Sequence, residues 1–503
     1  MDDRPHPSEP AAAAAAAPLD HATIRAIMVG ILLAMFLSAL EQTIVAPALP
    51  TIGRALADVE NLSWVVTAYL LAATAATPLF GKLADIHGRR RMMLVAIVIF
   101  LIGSLACALA PSMPALIAAR ALQGIGGGGI LPLAHTIIGD MVSPRERGRY
   151  QSYTSVMFMI ASIAGPVLGG VLTDYVHWTT IFWINLPLGL LALWMTDRAL
   201  RRLPRHDRPH RLDIAGATLM VAAALALMLA MAWGGTRYGW TSEPILALLG
   251  GSLALWLLFA LRVATAPEPF LPLAILREPL VGAIAAAGFF SVGVITALSI
   301  VLPLYFELVL GFTPSGSGTA LIVFLAAATA GSFAAGRLMV RTARYKRVPV
   351  VGLVLGMAML IVLAARPSGL SLLDVCVLLT VGGVGLGVMY PVTTVIVQNA
   401  VRAHQLGTAT GALNFARGLG GAIIVAAFAA ILLGGLDLAG QGLTLERLHR
   451  GATQAGGDFA HLFRYVFAAG AVFLAAGLLA VLATEERPLR GPQQKVSAPP
   501  AAG

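Results

Sequence analysis

Charge is what this sequence has least of. Of its 503 residues only 12% are Asp, Glu, Lys or Arg, against 58% hydrophobic, whereas soluble globular chains carry about a quarter charged residues. A water-exposed globule is therefore excluded as the body of the chain. Cysteine is also scarce. Cys107 and Cys376 cannot build a disulfide framework or a thiolate metal cluster, and both fall in apolar runs, where a cysteine packs as a small hydrophobe. No GxxxxGK[ST] stretch occurs, which excludes a nucleotide-cradling loop of that type, and the lack of HExxH disfavours a zinc protease. Gly124, Gly126 and Gly129 do fit GxGxxG, but they lie inside an apolar run with no strand ahead of them, which removes the dinucleotide reading.

What the chain has instead is apolar length. Runs of roughly 20 residues, enough to cross a bilayer as a helix, recur from residue 24 to residue 483. Backbone polar groups in lipid must bond within their own segment, so the runs are read as helices, and fourteen are predicted. An even number puts both termini on one side, and the retention of Lys and Arg in cytoplasmic loops decides which side. Lys82 with Arg89, Arg90 and Arg91, then Arg145, Arg147 and Arg149, then Arg198 through Arg211, then Arg337 through Arg347 all follow even-numbered spans. A multi-pass protein of the inner (cytoplasmic) membrane is expected, with both termini in the cytoplasm and the lipid bilayer as its surroundings. The net charge of +10 is then a topology signal, and no nucleic-acid partner is expected. The alanine-rich start, MDDRPHPSEPAAAAAAAPLDH, reads as a tail rather than a cleaved leader.

The chain is also duplicated. TIVAP at 43–47 parallels SIVLP at 299–303, GKLADIHGRRR at 81–91 parallels GRLMVRTARYK at 336–346, GIGGGGILP at 124–132 parallels GVGLGVMYP at 383–391, and LGG at 168–170 parallels LGG at 419–421. Repeats running in the same direction are related by an axis along the membrane normal. The division that follows is a tail at 1–23, a six-helix bundle at 24–197, a basic loop with two additional spans at 198–279, a second six-helix bundle at 280–484 and a tail at 485–503. In this alignment Glu41 stands opposite Ala297, Asp85 opposite Val340 and Arg120 opposite Leu379, while Arg417 stands opposite Pro166 and Glu307 opposite Thr51. Intramembrane charge is costly and usually functional, so proton chemistry is expected in the first half.

Particular residues carry that expectation. A carboxylate in an apolar medium holds its proton more readily, and a nearby cation opposes this; Glu41 and Arg120 are candidates for such a pair. Arg120 stays charged and cannot itself carry the proton, and clamping backbone carbonyls is its alternative role. Glu41 could instead be a pore-mouth residue. Asp85 can cap a helix start or pair with an arginine, in a contact made in one conformation and broken in another. Gly165, Pro166, Gly169 and Gly170 allow close, bent helix packing suited to a gate. Glu307 adds a negative group near the outer end of the ninth span, where it could attract organic cations. No metal site and no cofactor are expected.

These stretches resemble the major facilitator superfamily, in its fourteen-helix drug/proton antiporter branch. GKLADIHGRRRM is similar to the superfamily signature between its second and third helices, through Gly81, Leu83, Asp85, Gly88, Arg89 and Arg90. RALQGIGGGG resembles the proton-coupling motif of helix four through Arg120, Gln123, Gly124 and Gly126, and GPVLGG resembles the helix-five antiporter motif. LEQTIVAPALP resembles the first-helix motif LDxTIVxxALP with Glu41 in place of the aspartate, and HWTTIFWINLPLG and VQNAVRAHQLGTATGALNFARGLGGA resemble further features of the branch. The resemblance implies an all-α membrane protein with the major facilitator fold: two six-helix bundles plus two extra central helices, working by alternating access, not an enzyme. It implies proton coupling through Glu41 and Arg120 and a conformational switch at Gly81, Asp85, Gly88, Arg89 and Arg90. Gln123, Glu307 and Arg417 are candidates for a substrate or polar network. The expected partners are a small-molecule substrate and protons, with a monomer favoured. A narrow-specificity transporter of one metabolite or self-made antibiotic, or a non-transporting membrane sensor, are the alternatives.

Overall fold

The computed structural model describes residues 21–58, 60–142, 144–201, 212–235, 237–271, 275, 278–312, 314–341, 345–438 and 459–486. The tails at 1–20 and 487–503, and residues 202–211 of the basic loop, lie outside the described residues, as do Arg447 and Arg450. Fourteen of the described helices are long and apolar enough to cross a membrane. They are α1 (Thr23–Ala55), α2 (Trp64–His87), α3 (Arg89–Ala108), α4 (Met113–Met141), α5 (Glu146–Tyr175), α6 (Thr180–Leu200), α7 (Ile214–Trp233), α8 (Glu243–Thr265), α9 (Pro279–Leu308), α10 (Gly316–Met339), α11 (Arg347–Ala365), α12 (Leu373–Ala400), α13 (Leu406–Leu432) and α14 (Phe459–Leu482). The all-α, fourteen-helix expectation holds.

Three of these helices are interrupted, each beside a proline whose missing N–H deprives the carbonyl one turn back of its usual helical donor. α1 gives way to a short tight turn at Ala46–Ala48, with Pro47 and Pro50 alongside. α6 breaks at Ile184 ahead of Pro187, and α12 breaks at Val388 ahead of Pro391. Gly88, with φ at 87°, adopts a left-handed turn between α2 and α3 that a side chain would strain.

The buried apolar residues gather into one core drawn from α1–α6, a second drawn mainly from α9–α14, and a small third one. The duplication is visible in the packing. Contacts of α2 with α4, α3 with α4, α1 with α5 and α1 with α6 recur as α10 with α12, α11 with α12, α9 with α13 and α9 with α14. Glycines carry the correspondence at atomic detail. A Cβ on Gly124 would meet the Tyr69 carbonyl and one on Gly128 the Ala73 carbonyl; in the second half Gly383 faces the Phe324 carbonyl and Gly387 the Ala328 carbonyl. Backbones can come this close only where no side chain intervenes.

Two seams join the bundles. Gly81 of α2 lies on Gly407 of α13, and Gly336 of α10 lies on Gly148 of α5. Because the seams exchange under the pseudo-twofold, Gly148 corresponds to Gly407 and Gly81 to Gly336. This corrects one alignment. The match of LGG at 168–170 with LGG at 419–421 is out of register by two helical turns, so Arg417 corresponds to Phe158 rather than Pro166. Three apolar letters fix no register; glycines touching across a seam do.

α7 and α8 pack on each other and, through Ala217, Met220 and Phe259, against Phe415 of α13 and Leu79 of α2. They straddle the outside of the α2–α13 seam. At the foot of α7, Asp213 accepts from Gly216 N (3.1 Å) and Phe270 N (3.3 Å) and pairs with Arg262 of α8 (3.0 Å).

The glycine packing has a measurable consequence. Gly128→Ala places a methyl on a carbonyl, and overpacking of this kind costs about 1–3 kcal/mol. Gly250→Ala on α8, with nothing within 4 Å of the new methyl, relieves an unfavourable helical glycine and should be neutral or stabilising by up to about 1 kcal/mol. Thermal unfolding of the purified protein should therefore separate the two, Gly128→Ala melting several degrees lower. Equal melting temperatures would contradict the close α2–α4 approach.

Candidate functional site

Five helices of the first bundle converge on Arg120. Its guanidinium, 1% exposed, donates from Nε to the carbonyl of Val65 (2.8 Å) and from Nη1 to Oε1 of Glu41 and to Oε1 of Gln123 (2.5 Å). Glu41 is fully buried, and its second oxygen accepts from Nδ2 of Asn185 (2.5 Å). Ser104 closes the ring by accepting from Gln123 Nε2 (2.7 Å) and Asn185 Nδ2 (3.2 Å). The face of Tyr69 lies 4.6 Å from the guanidinium carbon and that of Phe182 at 5.8 Å, so aromatic rings cover the charge where no oxygen reaches it. Cys107 adjoins the ring, with Sγ 3.7 Å from Gln123 Oε1.

The sequence pattern built this site locally. Gly103 lies against the backbone of Gln123, which brings α3 close enough for Ser104 to reach the amide. The break in α6 ahead of Pro187 places Asn185 at the start of a new helix segment. Replacing Glu41 with a neutral group would leave Arg120 a buried, unpaired cation. Removing one partner of a buried pair is strongly destabilising, so the protonation state of Glu41 is coupled to everything that holds Arg120.

The expected pair is thus brought together, with Gln123 as a direct ligand of Arg120. Asn185, Ser104 and Tyr69 were not singled out by sequence reasoning. Neutral polar residues give no rarity signal inside a span; the one available was the asparagine beside the α6 proline in HWTTIFWINLPLG. In the second half, the positions aligned with Glu41 and Arg120 hold Ala297 and Leu379, both fully buried in apolar packing.

The second cluster lies at the seam. Oδ1 of Asp85 accepts from the backbone N of Gly407 (3.0 Å), and Oδ2 from the backbone N (2.6 Å) and Oγ1 (2.5 Å) of Thr408. The carboxylate therefore caps α13 of the opposite bundle, whose first N–H groups have no partners of their own and carry the positive end of the helix dipole. Asp85 also pairs with Arg89 (2.5 Å), whose Nε reaches Asp140 of α4 (3.0 Å). Both expected roles, cap and ion pair, are realised at once. Arg90 is turned elsewhere, donating to Asp197 of α6 (3.0 and 2.5 Å).

The glycine-rich stretch of α5 is divided. Gly165 packs on Thr43 and Gly169 on the carbonyl of Ile44, both a turn or less beyond Glu41. A Cβ on Gly170 would meet nothing within 4 Å and Pro166 is exposed, so only two of the four expected residues make close packing, and they make it between α1 and α5 within one bundle. Glu307 sits in the last turn of α9, half-exposed, and is no part of the Glu41 network. Arg417 lies in the second bundle among Tyr390, Thr393, Thr394 and Asn414. Among the described residues no group of three or more His, Cys, Asp or Glu is arranged to hold a metal ion.

Comparison with known proteins agrees with this architecture. The family model for the Major Facilitator Superfamily matches residues 31–211 and 199–425. An uncharacterized MFS-type transporter of Mycobacterium tuberculosis is 35% identical over 413 residues, covering 82% of this chain and 60% of that relative; the chain thus spans about three-fifths of its length. Multidrug transporter protein MdtP of Bacillus subtilis is 31% identical, over 81% of this chain and 75% of that relative. The efflux pump dotC of Dothistroma septosporum is 35% identical, over 80% and 69%. Among solved structures, the human organic anion transporter MFSD10 superposes with a TM-score of 0.64 at 16% identity, covering 90% of this chain and 99% of that one, a likeness of fold alone. On its two pseudo-symmetric bundles, its fourteen membrane helices and a family match across most of its length, this chain belongs to the Major Facilitator Superfamily.

Proposed function

We propose that the protein is a proton-coupled antiporter that exports lipophilic small molecules by alternating access. The observation that carries this reading is the sealed Glu41–Arg120 pair, present in one bundle and replaced by Ala297 and Leu379 in the other. An acid that gains or loses a proton beside a fixed cation changes its local charge by one unit in a low-dielectric interior, where such a change is felt strongly. Deprotonated, Glu41 holds Arg120; protonated, it weakens that hold and leaves the guanidinium to Val65, Gln123 and the Tyr69 face. The names of the multidrug transporter and efflux pump relatives support export as the direction.

In this reading the termini and the Asp85 seam face the cytoplasm across the inner membrane, an orientation supported by the Lys and Arg of the loops after the even-numbered spans. In that orientation Gly81–Gly407, Gly148–Gly336 and the hydrogen bonds of Asp85 close the cytoplasmic half. Opening inward requires α13 to lose its carboxylate cap and Ser152 to release Ser332, to whose carbonyl it donates (3.1 Å). Proton binding at Glu41 and release of these seams are the two ends of one conformational equilibrium.

The reading is tested in proteoliposomes with a compound found by sensitivity profiling in an efflux-deficient host. An imposed pH gradient should drive its movement without ATP, and a requirement for ATP would refute the reading. Glu41→Gln should abolish gradient-driven transport, whereas Glu41→Asp should retain much of it.

Two further outcomes follow from the geometry. If the pair acts as a unit, transport losses in Glu41→Asp, which keeps measurable transport, and Arg120→Lys should be less than additive in the double variant, by about 0.5–3 kcal/mol in a double-mutant cycle; strict additivity would leave Arg120 as a clamp only. Asp85→Asn removes a charge-assisted cap of about 1–2 kcal/mol, so turnover should fall several-fold while substrate affinity changes little. Normal turnover at normal expression would reduce the seam to packing.

A further inference from the structure

Arg417 has the burial of Arg120 without its counter-charge. It is the twelfth residue of α13, ~16 Å along the helix, which puts it near the middle of a hydrocarbon layer about 30 Å thick. It is 3% exposed. Its donors meet neutral acceptors: Nη1 reaches Asn414 Oδ1 (2.9 Å), and Nη2 reaches the carbonyl of Tyr390 (2.8 Å), Thr393 Oγ1 (2.5 Å) and Thr394 Oγ1 (2.9 Å). No ion pair joins it to a described carboxylate. Neutral dipoles oriented around a guanidinium hold it in place but do not cancel its charge.

Polar atoms that are buried and unsatisfied surround the same ring. The guanidinium carbon lies 4.0 Å from the centre of Tyr390, whose hydroxyl reaches Asn414 Oδ1 at 3.5 Å. Across the bundle interface, the ring of His135 on α4 lies 5.6 Å from that of Tyr390. Arg417 Nε, Asn414 Nδ2 and both ring nitrogens of His135 are buried without a hydrogen-bond partner, and His135 is fully buried. Arginine and asparagine supply donors there, and a neutral histidine supplies one more. Spare donors beside an uncompensated cation suit one kind of guest, an anion.

We infer that Arg417, with Asn414 and Tyr390, is a recognition site for a carboxylate on the transported molecule. Tyr390 is its cover: half-exposed, with the guanidinium carbon 4.0 Å from its ring centre and the ring of His135 of the other bundle, tilted by 51°, 5.6 Å away. Moving the bundles apart at this level separates Tyr390 from His135 and frees the ring to uncover Arg417, so access to the site follows the conformational switch. A planar carboxylate matches the guanidinium fork and the Asn414 amide, and a flat aromatic body matches the Tyr390 face. This assignment names a substrate class within the export reading, and its test uses equilibrium binding alone, so that loss of proton coupling and loss of anion recognition are separate results.

The experiment measures binding of benzoate, 2-naphthoate and 1-pyrenebutyrate to the purified full-length protein, each against its primary amide. At least one carboxylate should bind about tenfold tighter than its amide, the effect of one charge-assisted hydrogen bond. Arg417→Gln should remove that preference while moving amide affinity less than about twofold, and Arg417→Lys, which keeps charge without the fork, should keep part of it. Wild-type protein that prefers none of the three acids to its amide overturns the inference, as does a preference that survives Arg417→Gln. Should Arg417→Gln fail to fold, Arg417→Lys, which keeps the charge and loses the planar fork, carries the test: its carboxylate affinity should drop about threefold while amide affinity moves less than about twofold, and unchanged carboxylate affinity overturns the assignment.

Discussion

A guanidinium cannot discard its proton in any environment a protein offers, and burying one near the middle of a membrane protein is the constraint from which the rest of this structure follows. Arg120 is answered by a carboxylate on another helix, two amides, a hydroxyl and an aromatic face, drawn from five helices. Those helices must approach closely, and the glycines of α3, α4 and α5 let them. The small-residue content of the chain is thus tied to its few charges: close backbones bring short polar side chains within reach of a charge that water cannot reach.

The two halves diverge from one plan. Both use the same glycine positions to pack their second and fourth helices, and each contributes one glycine to each of the two seams. Only the first holds the acid–arginine pair Glu41–Arg120, and at the seams Asp85 caps α13 where the aligned position is Val340. The second half keeps its charge on α13, at Arg417, where no carboxylate of the described chain answers it. The duplicated frame thus carries unequal charges: a buried ion pair in one bundle and, in the other, a buried cation held by neutral acceptors.

Most of the architecture was legible because membrane helices leave a coarse signal, length without charge, and because the repeat is anchored by glycines whose spacing the packing enforces. Glu41, Arg120 and Asp85 were legible for the opposite reason: each is costly where it stands. Asn185, Ser104 and Tyr69 were not, since a neutral polar side chain in a span resembles packing until its partner is seen across the bundle. Asp140 likewise reads as an ordinary residue at a helix end until Arg89 is found against it. The α5 stretch misled in part, because small residues tolerate close contact without requiring it, and Gly170 has none. The LGG alignment failed because its letters occur wherever helices pack closely.

The central claim is that Glu41 holds the proton that is exchanged against cargo. It is tested most directly by counting protons: a transported compound is added to the purified protein in weakly buffered detergent solution, and the pH change is read with a soluble dye. The account predicts proton release from the wild type that saturates with compound binding and is absent in Glu41→Gln, while that variant still binds the compound. Release of the same size from Glu41→Gln would place the exchanged proton elsewhere and contradict the account.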